Sequence, residues 1–438
     1  MATGGRIDHR GIILKNQKGK RDMKFKLTSL EKKWVLYDVG NSAFTLMVST
    51  IFPIYFNALA ESAGISDVDY LAYWGYATSI CTLIVAILGP TLGAIADTKN
   101  FKKIIFSAAM GVGVLGCIVL GFLSSWLWFL VIFVLAKTGY SASLVFYDAM
   151  LTDVTEPDRM DSVSSHGYAW GYIGSCIPFV ICLVIVLGGG NVGLSTQTSM
   201  ILAFIITAVW WLGSSVPLLR SYRQKYFSEA GEHVVRNSFK RLGRTFIELT
   251  KQKHIFVFLL AFFFYIDGVY TVIDMATAYG QALGLDSTGL LLALLVTQIV
   301  AFPCVLIFSR LVKKISSETI ITICIAAYFC IAVYAYWLDT QFDFWLLAVL
   351  VGMFQGTIQA LSRSYFAKII PAEKSGEFFG IYDICGKGAS VIGTALVSVL
   401  SQVTGSINIG VSALSVMFLI GLVLFRFSAK LNAEHKKV

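Results

Sequence analysis

Charged side chains lie inside long apolar segments of this sequence, and they are the first candidates for chemistry. Asp267 and Asp274 are about two helical turns apart in one segment, so they share a face if that segment is a helix. Lys137 lies near the middle of another segment, with Tyr140 about one turn further on. An ionisable group inside a bilayer is costly, and it is usually paired or faces a cavity. We interpret Asp267 and Asp274 as sites for a substrate ammonium group or a proton.

Other intramembrane charges have two interpretations each. Lys137 either holds a substrate carboxylate or pairs with Asp38 in the first apolar segment. Asp383 and Lys387 are four residues apart, so they can neutralise each other on one helix face, or they can take part in gating or coupling.

A polar stripe runs along the tenth apolar segment. Gln355, Gln359 and Arg363 follow at four-residue steps and therefore share one helix face. Arg363, near the end of that helix, is interpreted as a gate partner, as a substrate ligand or as a cation that extends to the lipid headgroups. Further polar residues either line a cavity or form hydrogen bonds between helices; they are Asn41, Tyr270 and Gln298.

Motifs of enzymes and metal sites are absent from the sequence. It contains no HExxH, GxSxG, Walker-loop or GxGxxG motif. All eight cysteines fall within apolar segments without a CxxC pair, so we interpret them as small packing residues. We therefore expect a protein that is not an enzyme, that has no cofactor or metal, and that draws its energy from gradients.

The apolar segments dominate the composition. Of 438 residues, 56% are apolar and 14% are charged, whereas soluble domains have about 25% charged residues. A helix needs about 20 apolar residues to span a bilayer. The sequence predicts twelve such spans, with no cleavable signal peptide before the first. They are 34–60, 70–96, 104–123, 126–147, 163–187, 198–219, 254–279, 287–310, 319–338, 343–367, 378–402 and 407–427. We expect an all-α membrane protein.

Basic residues in the loops predict the orientation. Loops on one side carry Lys99, Lys102, Lys103, Arg159, Lys313, Lys314, Lys368 and Lys374, whereas loops on the other side contain acids but no Lys or Arg. By the positive-inside rule, the tails at 1–33 and 428–438 are cytoplasmic. The net charge of +9 is therefore attributed to topology and to contact with anionic lipid, and nucleic-acid binding is not expected.

One long loop divides the chain into two sets of six spans. It covers residues 220–253 and joins predicted bundles at 34–219 and 254–427. Apolar residues recur in it at helical spacing beside basic ones, so it either contains a helix in the membrane interface or is a solvated linker. Duplication of a six-span unit is typical of transporters that alternate access to a site between their halves.

The loop after the second span resembles a motif of the major facilitator superfamily. The segment GAIADTKNFKK at 93–103 is similar to that superfamily's G-x-x-x-D-R-x-G-R-K pattern. Gly93, Asp97 and Lys102 match the pattern, and the positions between them depart from it. Asp97 is expected to cap the N-terminus of the third span. The departures predict a latch that is weaker than the family's or differently paired.

Four further regions resemble the vacuole-effluxer branch of that superfamily, which comprises autophagy-related amino-acid effluxers and bacterial relatives. They are YDVGNSAF at 37–44 with FPIYF at 52–56, DSVSSHGYAWGYIG at 161–174, FLLAFFFYIDGVYTVI at 258–273, and the stretch 356–390 that contains QALSRSYFAKIIP. Ile266 and Tyr270 depart from the Asn and Gln of the branch, and Val39 and Gly40 depart from its Trp and Ala. If these positions face the cavity, the substrate differs from that of the relatives.

The resemblance implies the facilitator fold of two six-helix bundles, with spans 1, 4, 7 and 10 around a central cavity. The substrate-binding candidates are then Asp38, Asn41, Lys137, Tyr140, Asp267, Tyr270, Asp274, Gln355 and Gln359, with Gln298 as further polar lining. The candidates for gating or coupling are Asp97, Arg363, Asp383 and Lys387.

These residues predict a secondary transporter for a small polar or zwitterionic solute. Separate cations, Lys137 and Lys387, and anions, Asp267 and Asp274, suit an amino acid or a derivative, in agreement with the relatives. Asp267 or Asp38 is expected to take up a proton and couple transport to the proton gradient. We expect a monomer in a bacterial cell membrane rather than a vacuolar one. A transporter of a drug, sugar or anionic metabolite remains an alternative, as does a non-transporting receptor or assembly factor.

Overall fold

The computed structural model describes residues 25–228, 249–282, 284–387 and 390–435. Within these ranges the chain is helical, apart from short turns and one isolated bridge between Thr98 and Ser228. Twelve segments of the described chain are long and apolar enough to cross a membrane, which confirms the all-α prediction and the number of spans. The proposed interfacial helix falls mostly on residues 229–248, which lie outside the described ranges.

Spans 1 to 6 form the first half. Their helices are Ser29–Ser49 and Ile51–Ser62 for span 1, Asp67–Ala96 for span 2, Phe101–Leu120 for span 3, Trp126–Ala149 and Leu151–Val154 for span 4, Met160–Gly188 for span 5, and Thr196–Ser221 for span 6. Span 1 begins before the predicted residue 34 because of a capping box, in which the Glu31 N–H donates to Thr28 Oγ1 at 3.2 Å and the Thr28 N–H donates to Glu31 Oε2 at 2.7 Å.

Spans 7 to 12 form the second half. Their helices are Lys253–Ala282 for span 7, Ser287–Leu311 for span 8, Ser317–Tyr334 for span 9, Gln341–Ile369 for span 10, Ser375–Lys387 and Ser390–Thr404 for span 11, and Ile407–Ser412 and Leu414–His435 for span 12. Polar caps again set the helix starts: the Gly289 N–H donates to the Asp286 carboxylate at 2.7 Å at the start of span 8, and a capping box opens span 10.

A tyrosine–serine hydrogen bond joins the first and fourth spans of each half. The Tyr37 and Ser143 hydroxyls are 2.7 Å apart between spans 1 and 4, and the Tyr265 and Ser362 hydroxyls are 2.6 Å apart between spans 7 and 10. All four side chains are buried. The two halves therefore share an internal anchor at equivalent places, consistent with duplication of a six-span unit.

The halves meet on the side of the membrane that carries the basic loops, which we name the basic face. There span 2 crosses span 11 through glycines, and small residues allow such close helix approach. A Cβ added at Gly93 would overlap the carbonyl oxygen of Gly376, and one added at Gly380 would lie 2.5 Å from the backbone nitrogen of Pro90. The contact is thus backbone against backbone and tolerates no side chain.

Candidate functional site

Arg363 of span 10 is buried where the two halves meet. Its side chain is 2% exposed, and both of its carboxylate partners belong to the first half. Nη1 donates to Asp148 Oδ1 at 2.9 Å, and Nη2 lies 3.4 Å from Asp38 Oδ2. The interpretation of Arg363 as a cation extending to lipid headgroups is therefore wrong, because its guanidinium points between the bundles rather than toward the membrane surface.

Aromatic rings and a serine complete the surroundings of the guanidinium. Its carbon lies 4.7 Å from the Trp34 ring centre, 5.5 Å from that of Tyr147 and 4.4 Å from that of Tyr168. Nε donates to Ser164 Oγ at 2.9 Å, and Nη2 donates to the Ser164 carbonyl at 3.1 Å. A guanidinium is planar and weakly hydrated, so burying it among aromatic rings costs less than burying an ammonium group. Its N–H donors have acceptors here.

Asp38 thus has a different cation partner from the one that the sequence suggested. It pairs with Arg363, and it also accepts a hydrogen bond from Asn41 Nδ2 at 3.3 Å. The ammonium of Lys137, the partner considered in the sequence analysis, lies 5.7 Å from the centre of the Phe133 ring. Asp38 and Asn41 therefore belong to the contact between the halves.

Asp148 was missed by the sequence analysis. The predicted fourth span stopped at residue 147, whereas the helix continues through Ala149, so this carboxylate fell one residue outside the segment searched for buried charge. A signal was present, because Asp148 lies about three turns beyond Lys137 and therefore near the same face of span 4.

A second ion pair joins the halves nearer the membrane surface. Lys368 Nζ of span 10 lies 2.8 Å from both carboxylate oxygens of Asp161 in span 5. Asp161 also accepts a hydrogen bond from the Ser364 hydroxyl at 2.6 Å. Beside it, the Phe25 ring contacts Arg159 of the first half at 4.6 Å and Lys313 of the second half at 5.3 Å. The basic face is thus closed by more than one layer.

Asp97 caps a helix, but not the expected one. Its carboxylate accepts the backbone N–H groups of Gly376 at 2.7 Å and Glu377 at 2.9 Å, at the start of span 11 in the opposite half. The prediction that it caps span 3 is wrong, because Asn100 precedes that helix in a left-handed conformation with φ of 69°. A carboxylate at a helix N-terminus is favoured by the free N–H groups and the helix dipole.

Lys102 lies beside Asp97 and also reaches the second half. Its fully buried ammonium donates to Ser375 Oγ at 2.8 Å and to Asp153 Oδ2 at 3.0 Å. We name the contacts made across the two halves by Arg363, Lys368, Asp97 and Lys102 the basic-face closure.

Charges of both signs approach one another near the middle of the spans. Asp383 and Lys387 of span 11 form an ion pair at 2.6 Å, with side chains 15% and 29% exposed. Lys137 and Tyr140 of the first half are also partly exposed. The helix Ser375–Lys387 of span 11 packs against spans 2 and 4, and Lys137 belongs to span 4, so these three charged groups lie on helices that contact each other. We name Lys137, Tyr140, Asp383 and Lys387 the central charge cluster.

Tyr140 links this cluster to the closure. Its hydroxyl is 2.5 Å from Thr45 Oγ1 of span 1, the helix that also carries Asp38. A solute that reached the central charge cluster would therefore meet a basic group and a carboxylate from different halves, with the buried Arg363 network beyond them.

Asp267 has surroundings of another kind. It is fully buried, and its Oδ1 accepts the Gly393 N–H at 3.1 Å and the Thr271 hydroxyl at 3.2 Å. Its Oδ2 is buried and has no hydrogen-bond partner. Asp267 therefore faces span 11 within its own half. The side chain of Asp274 lies outside the described part of the structure.

The remaining polar candidates are dispersed. Gln359 Nε2 donates to the Tyr172 hydroxyl across the halves at 3.3 Å. Gln355 is 2% exposed, and its Nε2 is buried without a hydrogen-bond partner. Tyr270 and Gln298 are half-buried. Among the described residues, no group of three or more His, Cys, Asp or Glu side chains could hold a metal ion.

Three of the four positions that depart from the vacuole-effluxer pattern face packed protein. Ile266 is fully buried. Gly40 packs on span 6, where an added Cβ would lie 2.8 Å from Ser214 Cβ, and Val39 packs against Gly174 of span 5. Tyr270, which is half-buried, is thus the departure best placed to meet a solute in this conformation.

The comparison with protein families decides the relationship. The model described as "Vacuole effluxer Atg22 like" matches residues 29–437. The chain belongs to this family. It is 43% identical over 407 residues to the uncharacterized MFS-type transporter YxiO of Bacillus subtilis, covering 92% of this chain and 95% of that protein. It is 27% identical over 288 residues to autophagy-related protein 22-1 of Aspergillus niger, covering 60% of this chain and 46% of that protein.

Among solved structures, the human organic anion transporter MFSD10 has the same fold. The TM-score is 0.68 at 13% identity, over 91% of this chain and 99% of that one. Family and fold together confirm the predicted resemblance and the major facilitator architecture. The chain is a multi-pass integral membrane transporter of this superfamily, and the prediction that it is not an enzyme is confirmed by its membership.

Proposed function

We propose that this transporter moves an amino acid or a small amino-acid derivative by alternating access. The observation that carries the proposal is the central charge cluster, in which Lys137 belongs to span 4 of the first half and the Asp383–Lys387 pair belongs to the helix of span 11 that packs against span 4. A zwitterion presents one carboxylate and one ammonium group, and it can satisfy charges of both signs at once. Because the cluster draws on both halves, binding there responds to their relative movement.

In this proposal the substrate carboxylate binds Lys137, and its ammonium group binds Asp383. Without substrate, Asp383 is neutralised by Lys387 at 2.6 Å, which limits the cost of keeping these charges within the membrane. When the substrate ammonium replaces Lys387 as partner of Asp383, Lys387 becomes available as a second cation for the substrate carboxylate. Tyr140, Tyr270 and Gln298 contribute polar contacts at the edge of the site.

The basic-face closure acts as the cytoplasmic gate. The positive-inside rule supports a cytoplasmic basic face and cytoplasmic tails, and the described conformation is then outward-facing. Opening toward the cytoplasm requires Arg363 to leave Asp38 and Asp148, and Lys368 to leave Asp161. Asp97 must release the start of span 11 in the same step. We place the protein in a bacterial cell membrane, in keeping with its relative from Bacillus subtilis.

Asp267 is the proposed proton site. Asp38 has a cation within ion-pair distance, whereas Asp267 Oδ2 is buried without a hydrogen-bond donor. A carboxylate is costly to keep as an anion under those conditions, and a proton on this oxygen removes the cost. Release of the proton then requires water or a donor to reach Asp267, which is possible if span 11 moves relative to span 7 when the gate opens.

Counterflow of radiolabelled amino acids into proteoliposomes tests the proposal, and the transporter is expected to function as a monomer in this assay. The intact protein should accumulate label, and Lys137→Ala should not. Lys103→Ala, which removes a lysine from the first turn of span 3, is the matched control and should retain accumulation. Failure of every amino acid to exchange through protein shown by thermal unfolding to be folded would reject the amino-acid class.

An anionic metabolite is the second candidate. The central charge cluster contains two cations and one carboxylate, so it also suits a solute without an ammonium group. Asp383→Asn distinguishes a zwitterionic substrate from an anionic one. It should abolish exchange of a zwitterion, because the ammonium group of the zwitterion loses its partner. Exchange of an anion through the same variant should be kept or increased.

A further inference from the structure

Asp153, at the basic-face end of span 4, is a fully buried carboxylate that none of the preceding roles uses. It accepts the Lys102 ammonium at 3.0 Å and the Tyr222 hydroxyl at 2.5 Å on Oδ2. Its Oδ1 accepts the backbone N–H groups of Lys225 and Tyr226, each at 2.9 Å. Four donors on one buried carboxylate hold its surroundings in a fixed arrangement.

Three of those four donors come from the start of the linker between the halves. We name residues 222–228, which directly follow span 6, the linker strap. Gln224 Nε2 donates to the Ala96 carbonyl at 3.1 Å, and the Ser228 N–H donates to the Asp97 carbonyl at 2.9 Å. The strap is therefore fixed along the end of span 2 as well as to span 4.

The residues that the strap holds are the ones that contact the start of span 11. Lys102, a partner of Asp153, donates to Ser375 Oγ at 2.8 Å. Thr152 Oγ1, next to Asp153, lies 3.3 Å from the same oxygen. Asp97, whose carbonyl is bonded by the strap, accepts the N–H groups of the two residues after Ser375. Asp153 and the strap therefore fix the first-half side of this contact.

Tyr222 can act only as a donor in this arrangement. Burial, together with the neighbouring Asp153 carboxylate, raises the pKa of Tyr222 well above its ordinary value, so the hydroxyl keeps its proton. Lys102 is fully buried, and a buried ammonium depends on its carboxylate partner. If Asp153 loses the hydrogen bond from Tyr222, its carboxylate is held less firmly. The Lys102 ammonium, which depends on that carboxylate, is then held less firmly as well.

We propose that Asp153 and Tyr222 are positioning residues of the basic-face closure, and that the linker strap is a structural part of that gate rather than a passive connection. The strap holds Lys102 and Asp97 at the positions that match Ser375 and the start of span 11, and so favours the conformation closed on the basic face. The proposal rests on alternating access between the halves, but it does not depend on the identity of the substrate.

The test is a distance measurement across the basic face in reconstituted full-length protein. Spin labels are attached at Glu156→Cys in the first half and Lys314→Cys in the second, both of which are exposed positions, after replacement of the eight native cysteines. Tyr222→Phe removes one hydrogen bond to a carboxylate and should raise the population of the longer, open distance by about tenfold. Ser375→Ala, which removes the acceptor on the opposite half, should shift the distance in the same direction.

Tyr226→Phe is the matched control. Tyr226 belongs to the same strap, but the residue is 37% exposed and its bond to Asp153 comes from the backbone N–H, which the variant keeps. This variant should retain the wild-type distance. Because Tyr222→Phe and Ser375→Ala act on one contact, the double variant should shift the population by less than the sum of the two single effects.

Two outcomes would overturn the proposal. In the first, Ser375→Ala opens the basic face and Tyr222→Phe leaves the distances unchanged, with or without a lower melting temperature; the strap would then only stabilise the first half. In the second, neither variant changes the distances, and the contact at Ser375 is not part of a gate. No substrate is needed, so failure of amino-acid exchange is a separate result.

Discussion

Spans 1 and 7 begin their respective halves, and each is tied to the fourth span of its half by a buried tyrosine–serine hydrogen bond, at 2.7 Å and 2.6 Å. The residues after these tyrosines differ. Asp38 directly follows Tyr37, whereas Ile266 follows Tyr265 and the carboxylate comes one residue later, at Asp267. One residue corresponds to about 100° around a helix, so the two carboxylates leave equivalent anchors in different directions.

The direction decides which partners each carboxylate meets. Asp38 points across the halves and pairs with Arg363 at 3.4 Å. Asp267 points into its own half, toward Gly393 of span 11. A duplicated scaffold can thus place one carboxylate at the contact between halves and the other inside a half by a shift of one position. This comparison supports the proposal that Asp38 acts in gating and Asp267 in proton coupling.

The largest effect is expected at Arg363, on which the role of Asp38 depends. Arg363→Ala leaves Asp38 and Asp148 near each other without their cation, at a cost of about 3–5 kcal/mol for breaking a buried ion pair. Substrate exchange should be lost, and the open basic-face distance should dominate. Arg363→Lys keeps the charge but not the planar fork, so it should recover only part of the exchange. Wild-type exchange by Arg363→Ala would remove the gate assignment and the comparison with it.

Two single substitutions, compared with each other, test whether Asp267 and Asp38 have different roles. Asp267→Asn cannot take up a proton, so counterflow should continue while accumulation no longer responds to an imposed pH gradient. Asp38→Asn should keep the response to pH and instead shift the distance across the basic face. If Asp267→Asn responds to the pH gradient as the intact protein does, the proton site is elsewhere, and Asp38 is the next residue to test.

The surroundings of Asp267 can be altered without changing the carboxylate. A Cβ added at Gly393 would overlap the Thr271 hydroxyl and lie 2.6 Å from Asp267 Oδ1, so Gly393→Ala should displace Asp267 at a cost of about 1–3 kcal/mol. The expected result is a weaker dependence of accumulation on the pH gradient. Gly111→Ala, at a site where a Cβ meets nothing within 4 Å, is the control. Equal pH responses of the two variants would contradict a role for the Asp267–Gly393 contact.

The smallest effects are expected at the shared anchors. Tyr37→Phe and Tyr265→Phe each remove one hydrogen bond between neutral groups, worth about 0.5–1.5 kcal/mol. Thermal unfolding should show similar, modest decreases in melting temperature, with exchange retained. A much larger loss at one tyrosine would mean that the two anchors are not equivalent, and the comparison of the carboxylates would lose its common reference.

The spans and loops were predictable because they depend on local composition. Twelve apolar segments and the basic loops between them could be recognised without knowing how the helices pack. The pairing of charges could not be predicted in this way. Periodicity shows which face of a helix a charged residue occupies, but not which other helix packs against that face. Asp38 and Arg363 are 325 positions apart, and Asp97 caps a helix 279 positions away. Asp153 drew no attention because it lies beyond the predicted end of span 4 and three of its four donors belong to the linker.

The charged residues predicted for the site do not all lie in the same part of the molecule. The charges of Lys137, Asp383 and Lys387 indicated a polar site, and they lie on spans that pack against each other. Asp267 was grouped with them because it is also a charge within a span, yet its bonds are to span 11 in the interior of the second half. Whether Asp267 lies at the contact between the halves or inside the second half depends on how span 7 is rotated about its axis. Tertiary packing sets that rotation.

The glycine crossing between spans 2 and 11 has a consequence for the cost of closing the basic face. Gly93 meets Gly376, and Gly89 meets Gly380, through backbone atoms. Surfaces of this kind have no rotamers to reorder when they separate and meet again, so each closure carries little side-chain entropy cost. At this crossing, closure requires only that the two backbones meet as the halves move. We expect a methyl group at Gly93 or Gly380, where a Cβ would overlap the backbone of the other half, to disfavour the closed conformation from a position away from the central charge cluster.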